Sequence, residues 1–290
     1  SIFEKQFPLI SFYGEPEIEE QENHLHFKFD LLATAFHLLS RWEEKRYSFL
    51  DRHDRFPDKA HILIRHQLAH RPVVNEYIAI MQHILEKITG QTFNYNRQYS
   101  CYFTHDIDEV FRFNKWHSVF RILAGDLFLR KSIGAFKDTL KHYFRSLQDD
   151  KKDPSYTFEY LYTLAKTNQC HSAFYFLPGK KGEVDYRYCI DHPKVIEVIQ
   201  KLAQKDCVIG FHPSYGAYED SKQFEKELQR LTAISGRTIQ EGRHHYLQIK
   251  MPDTLRNWEA NQLKIDSSLG FNENIGFRCG ICFPFHPFDY

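Results

Sequence analysis

From Tyr99 onward, short β-prone runs alternate with helical stretches, and this alternation constrains the fold more than any other feature of the chain. Residues 99–104, 171–177, 207–211, 245–249 and 263–265 read as strands. Between them, 115 into the 140s, 156–168, 194–204, 220–234 and 252–263 read as helices. The punctuation agrees: Pro154-Ser155 and Asp191-His192-Pro193 open helices, and Gly236 closes one. A helix between two strands carries the chain back to the same end, so such strands lie parallel. Barrels built this way place their functional groups at the C-terminal strand ends.

With 290 residues there is material for one large α/β domain or two smaller ones. Lys plus Arg and Asp plus Glu balance at 38 each, so no net field favours nucleic acid or an anionic membrane. No apolar run approaches a membrane span. The start, Ser1-Ile2-Phe3-Glu4-Lys5, lacks the basic and apolar regions of a signal peptide, and it lacks an initiator Met. A cytoplasmic, processed or trimmed chain is the expectation. The six cysteines are scattered. Cys279-Gly280-Ile281-Cys282 has CxxC spacing, but no second pair completes a thiolate zinc site and no redox fold surrounds it.

The first hundred residues read differently. Acidic 15–22 gives way to a strand at 24–29, and Asp30 caps an apolar helix over 31–42. Pro72 opens a second helix that Gly90 stops. The eight histidines of this region show no ligand spacing. It reads as a small α/β module without a catalytic pattern.

The polar residues of the second part fall where strands end. Tyr102-Phe103-Thr104-His105-Asp106-Ile107-Asp108 leaves a strand in two carboxylates on one face. Two acids so close repel each other unless a metal, a shared proton or a base joins them. His212-Pro213-Ser214-Tyr215 follows strand 207–211, and Gly242-Arg243-His244-His245-Tyr246 opens another, with Arg243 and His245 on one face and His244 on the other. Asp266-Ser267-Ser268 ends strand 263–265, and Gly276-Phe277-Arg278 brings a guanidinium suited to a carboxylate or an oxyanion. Each has a plain structural alternative: a packed histidine, a capped turn, a surface ion pair. Four strand ends carrying Asp, His, His and Asp point together to a metal-dependent hydrolytic site. Tyr215, Tyr246 and the aromatic run 283–288 suit either sugar stacking or a core.

These segments resemble the polysaccharide deacetylase superfamily (NodB homology, carbohydrate esterase family 4). The likeness rests on Thr104-His105-Asp106-Ile107-Asp108, Ile209-Gly210-Phe211-His212-Pro213-Ser214-Tyr215, Arg243-His244-His245-Tyr246-Leu247, Ile265-Asp266-Ser267-Ser268-Leu269-Gly270 and Gly276-Phe277-Arg278, in the family's motif order over about 99–290. The closest match looks like a divergent branch found near bacterial surface-polysaccharide genes. That branch often carries an N-terminal domain of unknown function, which 1–97 resembles through Leu38-Leu39-Ser40-Arg41-Trp42-Glu43-Glu44 and Arg71-Pro72-Val73-Val74.

The resemblance implies an α/β fold: a distorted (β/α)7 barrel over 98–290, cut short at its C-terminus, after a small accessory α/β domain over 1–97. It implies a divalent metal, usually zinc, with cobalt or nickel fitting nearly as well. By the same analogy Asp106 is the general base, Asp108 and His212 are metal ligands, and Asp266, Arg243 and Arg278 orient the site. The family's second ligand histidine falls on Gly216, which has no donor, so His245 is the candidate third ligand and His244 the next. The family's late histidine acid has only His286 as a counterpart. The implied activity is removal of acetyl from an N-acetylated sugar of a surface polysaccharide or its precursor. The rivals are a non-catalytic carbohydrate-binding barrel and a hydrolase of a non-sugar amide. Neither nucleic acid nor a membrane span is expected.

Overall fold

The computed structural model describes residues 11, 13–21, 24–93, 98–114, 116–179 and 188–289. The chain divides into two units. The first comprises Ser1–Gln98, Tyr246–Ala260 and Asp266–Tyr290, and the second Tyr99–His245 with Asn261–Ile265. The boundary expected at 97/98 adjoins residues 94–97, which lie outside the described residues, as do the helix start expected at Lys115 and the terminal Tyr290. The late segments join the first unit because their backbone is bonded there. Phe277 N–H donates to Ala69 O at 2.7 Å, and Val74 N–H donates to Gly280 O at 2.7 Å.

In the first unit an antiparallel hairpin, β1 (Gly14–Gln21) and β2 (His24–Phe29), precedes the helices. The acidic stretch thus forms a strand that its charge concealed: Ile18 faces the core while its glutamate neighbours do not. Asp30 accepts a hydrogen bond from Ala33 N–H at 2.8 Å and starts α1 (Leu31–Ser40). Arg41 then takes a left-handed conformation, so the expected helix over 31–42 breaks there and α2 (Trp42–Arg46) begins afresh. The short α3 (Ile62–Arg65) and the long α4 (Val73–Thr89), closed by Gly90, complete the helices of this segment. Leu38, Leu63, Val74, Tyr77 and Ile80 form the centre of its core.

The second unit follows the alternation closely. It runs β3 (Tyr102–Ile107), α5 (Trp116–Ala124), a π-helical turn (Gly125–Leu129), α6 (Ile133–Gln148) and α7 (Phe158–Thr167). Then come β4 (His171–Phe176), α8 (Pro193–Ala203), β5 (Val208–Phe211), α9 (Ser221–Ser235) and β6 (Glu241–Gly242). After α10 (Asp253–Ala260) of the first unit, β7 (Ile265–Asp266) closes a sheet ordered β3-β4-β5-β6-β7. The pairings β3–β4, β4–β5 and β5–β6 are parallel. Among the described residues this sheet has five strands, against the seven that the resemblance implies.

Elements of the second unit also differ from the expectations. The first strand starts at Tyr102 and runs through Asp106 to Ile107. The single helix expected from 115 into the 140s is broken at 130–132, where Ser132 Oγ accepts from Ala135 N–H at 3.1 Å and caps a new helix. The strand expected over 245–249 is absent. His245–Leu247 is a 3-10 turn with Tyr246 at φ 59° and Leu247 at φ 55°, values incompatible with an extended chain. No helix among the described residues is long and apolar enough to cross a membrane.

Candidate metal centre

Strand register builds the site. Ile107 pairs with Phe176, Phe176 with Phe211, and Phe211 with Gly242, so these four form the last row of the sheet. Asp108, His212 and Arg243 are each the next residue along, and leave the sheet together. The apolar row is buried, which fixes the register, because a one-residue slip would turn Phe176 and Phe211 away from the core.

His212 is buried, and its Nδ1 lies 2.6 Å from the Arg243 carbonyl oxygen. A carbonyl only accepts, so Nδ1 is the donor here, and in the neutral ring Nε2 carries the lone pair. That Nε2 is buried without a hydrogen-bond partner and lies 3.5 Å from Asp108 Oδ1. His245 Nε2 lies 3.6 Å from the same oxygen. One donor atom from each of Asp108, His212 and His245 falls within 4.8 Å of the others. A tetrahedral ion with bonds of about 2.0–2.1 Å separates its ligand atoms by roughly 3.4 Å, close to the two contacts with Asp108. An imidazole lone pair facing a carboxylate oxygen is repulsive unless a cation or proton lies between them. The residues present therefore fit a divalent metal, and the exposed side of Asp108 leaves an approach for solvent.

Asp106 stands one row earlier, level with Tyr175. Arg243 Nη1 donates to its Oδ1 at 3.0 Å, and Arg243 Nη2 donates to Thr104 Oγ1 at 2.7 Å. The same guanidinium sits 5.5 Å above the Tyr175 ring. Tyr175 reaches across Gly210, where a Cβ would come within 2.2 Å of the ring, and its hydroxyl donates to Glu241 Oε1 at 3.1 Å. Burial pushes the Glu241 carboxyl above its ordinary value, and the Tyr175 bond opposes this. The sequence reading missed this support, although Glu241 lies two residues before Arg243 and so on its face of an extended chain. It also missed Glu227, which is buried on α9 and accepts from Ser214 N–H at 2.8 Å and from Ser214 Oγ, pinning the turn after His212.

The other expected residues have the following partners. His244 is buried against Phe224, with rings 5.7 Å apart, and burial lowers its pKa to about 3, so it is a neutral core residue. Asp266 belongs to the first unit and accepts from Ser268 N–H at 2.9 Å and Ser268 Oγ at 2.8 Å, the geometry of a capped turn. Arg278, also of the first unit, is buried; it donates to Glu44 Oε1 at 2.9 Å and to Gly270 O at 2.6 Å. His286 is exposed in the first unit, and there Phe288 packs on Phe36. All six cysteines are free thiols.

A cavity of about 380 Å³ opens in the second unit, lined by Phe111, Phe113, Tyr188 and His192 among others. The Tyr188 hydroxyl accepts from Leu177 N–H at 2.7 Å. Burial first, and then the Asp108 carboxylate, hold this phenol above its ordinary pKa, while the Leu177 bond opposes them. Its volume is within the range of small-molecule sites.

Residues 2–90 match a family of unknown function (DUF7033). No curated protein matches the chain. Among solved structures, a Mycobacterium smegmatis protein provisionally named a polysaccharide deacetylase is 15% identical, with a TM-score of 0.36. That similarity covers 61% of this chain and 54% of the other, so the chain spans about half of that protein. The site's chemistry has to be read from its own side chains.

Proposed function

We propose that the chain is a metal-dependent deacetylase that hydrolyses the N-acetyl group of a sugar in a surface polysaccharide or its precursor. The observation that carries this reading is the Asp108, His212 and His245 cluster with the arginine-held Asp106 beside it. A divalent ion held by those three residues would polarise an acyl oxygen and make water nucleophilic near neutral pH. Asp106 then has the position of the general base, receiving the proton of the attacking water. Arg243 fixes that carboxylate through one nitrogen and Thr104 through the other, so the base meets the reacting atoms in one orientation. The (β/α)7 barrel, zinc as the metal, and the sugar as substrate come from the motif resemblance, which the ligand set supports. Asp266 and Arg278, bonded as they are to Ser268 and Glu44, take structural roles in this reading.

Metal content separates the roles. After stripping and reloading with zinc, mass spectrometry should find about one zinc per chain, and none in Asp108→Asn or His212→Ala. Asp106→Asn should keep the metal and lose acetate release from N-acetylated oligosaccharides. Equal metal content in all three variants would overturn these assignments. No tight metal in the parent would leave the fold as a carbohydrate-binding module.

A further inference from the structure

The segment from α5 to α6 presents an apolar surface that the proposed chemistry does not use. Trp116 is 72% exposed, Phe128 76%, Leu129 86% and Ile133 67%, with Phe120 and Phe144 also exposed. Trp116 and Phe120 meet edge to face on one side of α5, with centroids 5.8 Å apart. The π-helical turn then sets Leu127, Phe128 and Leu129 outward in succession at the tip. This tip is a built feature. The fully buried Asp126 accepts from Arg130 Nη1 at 2.6 Å and from Thr139 Oγ1 at 2.6 Å, and its carbonyl accepts from Ser132 N–H at 2.9 Å. The turn is therefore closed from inside while its apolar residues face solvent, an arrangement that costs solubility unless something covers it.

Charge selects what covers it. Over 116–148 there are six Lys and Arg against two Asp, in a chain whose charges balance overall. One of those two acids, Asp126, is buried and engaged with Arg130. Arg121, Lys137, Lys141 and Arg145 on α5 and α6, and Lys131 in the break between the π turn and α6, are all exposed. A second copy of this face would set like charges against each other, whereas an anionic bilayer complements both the exposed aromatic residues and the exposed basic residues of the segment. We propose that α5, the π turn and α6 form a peripheral docking surface for anionic phospholipid, with Phe128 and Leu129 entering the headgroup boundary and the exposed Lys and Arg of the segment meeting the lipid phosphates. The surface holds the chain on a membrane without crossing it.

Co-sedimentation with vesicles tests the assignment. The chain should bind phosphatidylcholine vesicles containing phosphatidylglycerol and ignore phosphatidylcholine alone, and binding should weaken as salt rises. Phe128→Ser with Leu129→Ser should reduce binding at least tenfold, and Lys131→Ala roughly fivefold. These residues are exposed, so a thermal melt should show both variants folded. Trp116 fluorescence should shift to the blue on binding, and the shift should vanish in Trp116→Phe. Asp108→Asn should bind vesicles as the parent does, which keeps this test separate from that of the metal site. Absence of binding, or equal binding to both vesicle types, would overturn the proposal. So would concentration-dependent dimerisation in lipid-free buffer that the double serine variant abolishes, which would assign the face to a second copy.

Discussion

Single residues show how burial decides a histidine's use. His212 and His245 keep a nitrogen close to Asp108, whereas His244, between them in sequence order and beside His245, is a core ring against Phe224. Parity along an extended chain sets His244 and His245 on opposite faces, but this segment is a 3-10 turn, so their different surroundings come from the turn and its packing. In the first unit His61 is buried, and burial, with Arg41 and Arg278 acting next, lowers its pKa to about 3 from an ordinary 6.5. The folded state thus binds fewer protons than the unfolded chain between those values. Stability contributed by the neutral ring is present above pH 6.5 and falls as pH drops toward 3, by up to about 1.4 kcal/mol per pH unit. Urea unfolding between pH 7 and 4 should show this slope. His61→Asn, which can still cap α3 in place of the Nδ1 that accepts from Leu63 N–H, should make it shallower, with the buried His244 supplying part of what remains; an unchanged slope would place the titration elsewhere.

Between elements, the decisive quantity is the separation of β5 and β6. A Cβ at Gly242 would meet the Phe211 carbonyl oxygen at 1.9 Å, and that atom is backbone that cannot rotate away. Gly242→Ala should push β6 off β5, weakening the 3.0 Å bond from Arg243 N–H to Phe211 O. We expect a loss of about 1–3 kcal/mol, read as a lower unfolding midpoint, together with weaker zinc binding because Arg243 and His245 move with the strand. Retention of both would mean that register does not position the centre. Most element types and their order were legible because apolar periodicity and caps such as Asp30 and Gly236 are local signals, whereas the cap at Ser132, which restarts the helix, was not read. The left-handed Arg41 and the Tyr246 turn were not legible, since nothing in their side chains requires positive φ.

For the whole molecule, two units predict two thermal events. Zinc at a hundredfold excess over its dissociation constant should stabilise the unit that holds Asp108, His212 and His245 by about 2.7 kcal/mol. Scanning calorimetry should show one transition moving with zinc while the other stays, and neither moving in Asp108→Asn. Joint movement would show that the units unfold as one. The balanced net charge concealed the basic helical segment, because a sum over the chain discards where charges lie. By itself the sequence determined the α/β alternation and the carboxylates and histidines at strand ends, since both follow from neighbours a few residues apart. Only the tertiary structure decided the rest. Tyr175 crossing Gly210 to Glu241, Glu227 holding Ser214, Arg278 spent on Glu44, and His245 facing Asp108 all join residues distant in sequence. Register and packing, which no local pattern encodes, bring those partners within bonding distance.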